Sequence, residues 1–267
     1  MPIPIECVKT KDFSMRFFRF GSGKKTMVIL PGLSVKSVMQ SALPISAQYQ
    51  IFAKEYTVYV FERREAVPPV YPLAQMAEDT ACAMQALQLK DTYLFGASQG
   101  GMMAMHITAT HPKLVKKLAL GSTAAKVDDR RGSTILEWIS LAEQKEPVAL
   151  YESFCRNIYP LDFYEKYKEL FRAAAQTVSD EELERFIIMA RSIETLDLSD
   201  ALEAIRCPVL VIGSEDDAVL GSAPTLEIYH ALQPHAPVQY YLYKDRGHDA
   251  YDTAPDYQER LYRFFEE

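Results

Sequence analysis

The sequence predicts an α/β fold: a mostly parallel sheet of about eight strands, with helices on both faces and a helical cap inserted late in the chain. Three observations carry this expectation. Short β-branched or aromatic runs alternate with longer helical patterns, as in a chain of strand–helix units. Several runs, such as Met27-Val28-Ile29-Leu30 and Val209-Leu210-Val211-Ile212, are apolar throughout, as strands covered on both faces must be. Between residues 126 and 194 the strand signal disappears, and amphipathic helical patterns succeed one another.

In chain order, the aromatic run SMRFFRF predicts a strand over 14–20, then TMVIL over 26–30 and TVYVF over 57–61. A helical pattern spans 73–89, the apolar run TYLF marks a strand over 92–95, and a helix is expected over 99–111. A strand over 117–120 precedes four helical patterns at 136–144, 149–158, 163–175 and 181–191. The alternation then resumes with strands over 208–212 and 238–243 and helices over 225–232 and 255–265. This divides the chain into a core of residues 1–125 and 195–267 and a cap of residues 126–194. No repeat, low-complexity tract or Gly/Ser linker interrupts it, so the cap is expected to dock on the core. Its aromatics Trp138, Phe154, Tyr159, Phe163, Tyr164 and Phe171 either line a pocket or pack cap against core, the commoner role for any one of them.

Composition narrows the function. The 267 residues carry 29 Lys+Arg against 36 Asp+Glu, a net charge of −7, and no long basic stripe exists to neutralise phosphates, which argues against nucleic acid. Cys7, Cys82, Cys155 and Cys207 are scattered, with neither C-x-x-C nor a Cys/His cluster at metal spacing, and read as reduced thiols. No metal or organic cofactor is expected. No run approaches the ~18 apolar residues of a membrane span, and Met1-Pro2-Ile3-Pro4-Ile5-Glu6 lacks a cationic-then-apolar leader, so a cytoplasmic location is expected.

The chemistry centres on Gly96-Ala97-Ser98-Gln99-Gly100, a G-x-S-x-G directly after an apolar strand and before a helix. A sharp strand-to-helix turn strains its central residue and leaves no room for side chains two positions to either side, which Gly96 and Gly100 satisfy. Ser98 would then project at a helix N-terminus, where free N–H groups favour developing negative charge. A serine hydroxyl needs a base, and the base needs an orienting acid. Of five histidines, His106, His111 and His230 fall in or at the ends of helices and His235 in a turn between Pro234 and Pro237. His248 sits on the loop between the last strand and the terminal helix, at the same sheet edge as Ser98. Glu215, Asp216 and Asp217 come after the preceding strand at that edge, and one of them would accept the His248 N–H.

The order Ser98, acid, His248 on successive strand-end loops resembles the α/β-hydrolase fold family over nearly the whole chain. The resemblance implies Asp216 as the acid, since Gly213-Ser214-Glu215-Asp216 matches the family's G-x-x-D, with Asp217 as runner-up. Gly247-His248 is similar to the family's G-H. The resemblance also implies an oxyanion hole from the amides of Gln99 and of Leu33, the latter in Leu30-Pro31-Gly32-Leu33-Ser34, where Pro31 replaces the usual histidine and removes a supporting hydrogen bond. After the strand over 57–61 the family's Asp and Gly-rich loop gives way to Glu62-Arg63-Arg64-Glu65. These arginines would pair with surface acids, or else hold an anionic group at the cleft.

The residues and the resemblance together imply a serine hydrolase of the carboxylesterase kind, acting on an ester or related acyl bond of a small or medium substrate through an acyl-enzyme on Ser98. Serine at the elbow argues against the dehalogenase and epoxide hydrolase branches, which need a carboxylate there. Thioesterase, lactonase, carbon–carbon hydrolase, acyltransferase and peptidase chemistries share the same fold and triad. The alternatives from other classes are a ligand-binding or signalling homologue with little turnover and a scaffold acting through its cap.

Overall fold

Eight strands form one sheet: β1 (Ile5–Lys9), β2 (Ser14–Phe20), β3 (Lys25–Leu30), β4 (Tyr56–Arg64), β5 (Thr92–Ala97), β6 (Val115–Gly121), β7 (Val209–Ser214) and β8 (Val238–Tyr243). Their spatial order is β1-β2-β4-β3-β5-β6-β7-β8. Only the β1–β2 and β2–β4 pairings are antiparallel, and every pairing from β4 to β8 is parallel. This is a computed structural model, and it describes residues 2–127, 132–194 and 196–267. The helices are α1 (Ala42–Gln48), α2 (Leu73–Ala86), α3 (Gln99–Thr110), α4 (Ser133–Glu143), α5 (Pro147–Ile158), α6 (Leu161–Ala175), α7 (Asp180–Arg191), α8 (Ser199–Ala204), α9 (Ala223–Leu232), α10 (Ala250–Thr253) and α11 (Tyr257–Glu266).

The sheet separates two cores, and its alternating side chains explain why the central strands read as unbroken apolar runs. In β4, Val58 and Val60 face the core that Tyr257, Leu261 and Phe265 of α11 cover, while Phe61 faces the core built with α2 and α3. Every residue of β5 and β7 is buried. Parallel strands present their carboxyl ends at one edge, so the loops after β3, β5, β7 and β8 converge there.

Four helices, α4 to α7, stand between β6 and α8, in the stretch where strand signal vanishes. Ser179 opens α7 with a reciprocal capping box to Glu182. The insertion leaves and rejoins the sheet through a narrow neck: Val127 N–H donates to Leu196 O at 2.9 Å, and Leu198 N–H to Ala125 O at 2.8 Å. Residues 128–131, at the start of the expected cap, and residue 195, at the expected boundary, lie outside the described residues.

Strand β1 has no counterpart among the strands expected from sequence. It is a five-residue edge strand of which only Val8 is buried, so it carries no apolar run. Among the described residues no helix is long and apolar enough to cross a membrane.

Candidate active site

The turn from β5 into α3 holds Ser98 at φ 51° and ψ −121°, a conformation that L-residues rarely adopt. Its neighbours enforce it. Ser98 N–H donates to Gly121 O at 2.8 Å, and its carbonyl accepts from Thr123 Oγ1 at 2.7 Å. The two glycines are required by close approach: a Cβ on Gly96 would stand 2.4 Å from Gly100 O, and one on Gly100 would stand 2.0 Å from Leu30 O. Ser98 is thereby lifted, half-buried, into a cavity of about 590 Å³ beneath the inserted helices.

His248 Nε2 lies 2.9 Å from Ser98 Oγ, and His248 Nδ1 lies 2.8 Å from Asp217 Oδ2. The acid that meets the histidine is therefore Asp217, and not Asp216 as the G-x-x-D spacing implies. The cause is strand length. β7 runs through Ser214, and Glu215 N–H still donates to Tyr243 O at 2.9 Å, so the turn begins one place later. Glu215 and Asp216 point to solvent, whereas Asp217 turns inward and its Oδ1 accepts from the N–H groups of Val219 and Leu220 at 2.8 and 2.9 Å. Burial works to raise the Asp217 carboxyl. The charge and hydrogen bond of His248, with those two amides, outweigh it and hold the group below the usual carboxylate range. The Ser214 hydroxyl donates to Arg246 O, and Asp249 N–H donates to Ile158 O at 2.8 Å, tying the acid and histidine loops to each other and to α5.

Leu33 and Ser98 line the same cavity, and a Cβ on Gly32 would stand 3.1 Å from Ser98 Cβ, so the loop after β3 passes directly over the serine. Gln99 is the first residue of α3, where a backbone N–H has no intrahelical acceptor. Trp138, Phe154, Tyr159, Phe163 and Phe171 line the cavity, and Trp138, Phe154 and Tyr159 also pack in the hydrophobic core, so these three fill both expected roles. Tyr164 does not, being buried beside Phe171.

The arginines depart from expectation. Arg64 pairs with the buried Asp79 at 3.3 Å. Arg63 is only 3% exposed and makes no surface ion pair: its Nη2 donates to Pro31 O at 2.9 Å and to Gln99 Oε1 at 3.0 Å. Gln99 Nε2 in turn donates to Met189 O of α7 at 2.8 Å and to Ser192 Oγ at 3.1 Å. Glu62, also buried, accepts from Ser37 Oγ at 2.7 Å, Val38 N–H at 3.1 Å and Arg185 of α7 at 3.3 Å. Burial would raise Glu62, but Arg185, Ser37 and the Arg63 amide keep it ionised, below the usual range. Neither the Arg63 clamp nor the buried Gln99 side chain is evident from sequence. The one signal for them is an Arg set just after the apolar run that ends in Phe61 and the Glu62 that follows it, inside the last residues of β4 rather than beyond it.

The remaining histidines have structural partners. His106 and His111 face Glu78 at 3.3 and 2.8 Å, and His235 bonds Leu202 O at 3.0 Å. Among the described residues no cluster of His, Cys, Asp and Glu is arranged to hold a metal.

A parallel sheet with a strained serine turn at its carboxyl edge and a serine–histidine–carboxylate line across successive loops defines a hydrolase-type α/β architecture. Residues 25–187 match the alpha/beta hydrolase fold family, and the chain belongs to it. It is 25% identical over 229 residues to a protein provisionally named carbamate hydrolase RutD from Caulobacter vibrioides, covering 82% of this chain and 84% of that protein. Among solved structures it is similar to MGS-M2, an alpha/beta hydrolase enzyme from a Medee basin deep-sea metagenome library. That likeness has TM-score 0.87 and 20% identity, covering 98% of each chain. The enol-lactonase from Burkholderia xenovorans LB400 superposes with TM-score 0.82 at 19% identity, over 98% of this chain and all of that one. The family match and these likenesses agree on one architecture, the alpha/beta hydrolase fold.

Proposed function

We propose that the protein is a serine hydrolase that cleaves a carboxylic ester or related acyl bond of a small or medium substrate through an acyl-enzyme on Ser98. The observation that carries this reading is the continuous line Ser98 Oγ, His248 Nε2, His248 Nδ1, Asp217 Oδ2, with links of 2.9 and 2.8 Å. His248 takes the Ser98 proton as Oγ attacks the carbonyl carbon, then delivers it to the leaving alkoxide. Asp217 holds the ring orientation and stabilises the imidazolium while staying ionised. The amides of Leu33 and Gln99 receive the oxyanion. Water, deprotonated by His248, then attacks the acyl-enzyme, and His248 returns that proton to Ser98 Oγ as the Oγ–acyl bond breaks and the acid leaves. Residues 126–194 act as a cap whose aromatics shape a largely apolar site, which favours compact substrates over polymers. The names of the relatives extend the candidates to carbamate and lactone carbonyls, which the same steps would serve.

The test is labelling with a fluorophosphonate probe, with Ser98→Ala and His248→Ala in parallel, and then p-nitrophenyl esters of increasing chain length. Labelling and turnover that vanish in both variants are expected. A folded wild-type protein that neither labels nor turns over any acyl substrate would replace this reading with that of a ligand-binding homologue.

A further inference from the structure

The cavity has a second polar wall that the proposed reaction does not use. Asp249 and Asp252, on the loop and short helix just past His248, line it together with Tyr49, Tyr159 and Tyr251. Asp249 is 1% exposed and its Oδ1 has no hydrogen-bond partner, a costly state for a carboxyl oxygen. The hydroxyls of Tyr251 and Tyr159 and the Asp252 carboxyl hydrogen-bond the group, the tyrosines favouring its ionised form, so that Oδ1 alone is left without a partner. Asp252 accepts from Gln48 Nε2 at 2.9 Å, a neutral donor.

No cation of the described chain answers these two carboxyls. Lys36 is the one lysine or arginine among the described lining residues, and its ammonium donates to Thr177 O at 3.3 Å and Thr177 Oγ1 at 2.5 Å, on the inserted helices. His248 directs both ring nitrogens elsewhere, to Asp217 and Ser98. A buried acid beside an exposed one, without a counter-charge and lining the cavity together with aromatic rings, is complementary to a cation brought by a ligand. Carboxylates supply charge-assisted hydrogen bonds, and ring faces add cation–π attraction.

We propose that this wall is a subsite for a cationic amine carried by the substrate, so that the enzyme prefers acyl compounds bearing an alkylammonium group. The proposal rests on the hydrolase reading only for the bond that is cleaved; the ammonium site stands on the cavity itself. Burial and the adjacent Asp252 push the Asp249 carboxyl well above its usual range. A bound ammonium offsets that burial, so its binding is expected to expel a proton from the acid pair.

The experiment is calorimetric titration of the Ser98→Ala protein, which cannot turn substrate over, with n-hexylammonium, 1-hexanol and hexanoate, in two buffers of different ionisation enthalpy. The ammonium is expected to bind at least about tenfold more tightly than the alcohol, hexanoate the most weakly, and only the ammonium to release protons. Asp249→Asn with Asp252→Asn in the same background is expected to bring the ammonium down to the alcohol's affinity. Equal binding of ammonium and alcohol, tightest binding of hexanoate, binding of none, or an ammonium advantage that survives the double substitution would each overturn the subsite. If the doubly substituted protein does not fold, the ranking of the three ligands on Ser98→Ala alone decides. No result here depends on turnover, whereas failure of the hydrolase reading would show as absent probe labelling in the wild-type protein.

Discussion

Replacing Asp217 by Asn separates the acid that meets His248 from its neighbour in sequence. In the proposed reaction the Ser98 proton moves to His248 and the imidazolium forms 2.8 Å from the Asp217 oxygen, in a site where His248 is 3% and Asp217 8% exposed. At that separation and an effective dielectric constant of about 20, Coulomb's law gives roughly 6 kcal/mol of stabilisation for the charged ring. An amide retains part of this through its dipole, and Oδ1 can keep its bonds to Val219 and Leu220, so the fold should survive. A net loss of about 4–5 kcal/mol remains, which is a fall in kcat of roughly 10³–10⁴. Asp216 is exposed, and Asp216→Asn should leave kcat within about twofold. The assay is steady-state hydrolysis of a p-nitrophenyl ester by both variants, with fluorophosphonate labelling rates as a readout independent of deacylation. Asp216→Asn as damaging as Asp217→Asn, or Asp217→Asn keeping more than a tenth of wild-type kcat, would refute the reasoning.

Three further outcomes are expected. Asp249→Asn should stabilise the protein at neutral pH. The Asp249 carboxyl ordinarily titrates near 3.8, and burial and then Asp252 hold it well above that in the fold. As pH rises past 3.8 the unfolded chain releases this proton and the folded chain does not, so stability falls by about 1.4 kcal/mol per pH unit across that window. Asn removes the loss, and thermal melts should show a gain at pH 7 that fades towards pH 4; a gain larger at pH 4 than at pH 7 would contradict the sign. Arg63→Met deletes two hydrogen bonds from a charged donor, to Pro31 O and Gln99 Oε1. Such bonds contribute about 1.5–3 kcal/mol each to the fold, and if about half of the total reaches the transition state, kcat should fall roughly 10–100-fold with little change in KM, because in the proposed reaction the loop that Arg63 holds carries an oxyanion amide. Gly100→Ala places a methyl 2.0 Å from Leu30 O and 2.6 Å from Pro31 O, which either α3 or the loop after β3 must move to relieve. A loss of about 1–3 kcal/mol, seen as a fall in Tm of roughly 3–10 °C together with loss of probe labelling, is expected.

The parts of the fold readable from sequence are those where burial is two-sided and local. β2 and β8 begin and end where their aromatic runs do, and β5 and β7 are buried from end to end. The serine turn is legible because its three requirements, two glycines and a helix N-terminus, lie within five residues. The acid is not. The run Glu215-Asp216-Asp217 offers three carboxyls, and which one turns inward depends on how far β7 stays paired with β8, a non-local fact. A local hint exists: Asp217 is the acid nearest the apolar pair Val219-Leu220, whose amides its carboxylate caps. Arg63 is illegible for a different reason. A guanidinium is buried only where carbonyl acceptors wait for it, and those acceptors come from Pro31 and Gln99, 32 and 36 residues away in the chain.

That clamp also accounts for the departure at Pro31. The resemblance implies a histidine here that braces the loop proposed to carry an oxyanion amide, and a proline cannot do so. In this chain the brace comes from the opposite side, through the guanidinium of Arg63 on the Pro31 carbonyl. The same nitrogen holds the Gln99 side chain, which reaches on to Met189 and Ser192 at the end of α7. Arg185, one turn earlier on that helix, pairs with Glu62, which bonds Ser37 and Val38 further along the same loop. The loop after β3, the serine turn and the inserted helix α7 are therefore joined by one buried polar network, in which breaking any member leaves another unsatisfied. Displacement of α7 would pull on Gln99 and Glu62 together, so the position of the inserted helices and the geometry around Ser98 are set jointly. Substituting Ser192 by Ala removes only an outer bond of this network and should cost little, whereas Gln99→Leu cuts the side-chain link from the Arg63 guanidinium to the end of α7, leaving only the Arg185 contacts. A fall in kcat for Gln99→Leu several times that for Ser192→Ala, measured on the same ester, is the expected ratio, and equal effects would mean that the network does not transmit.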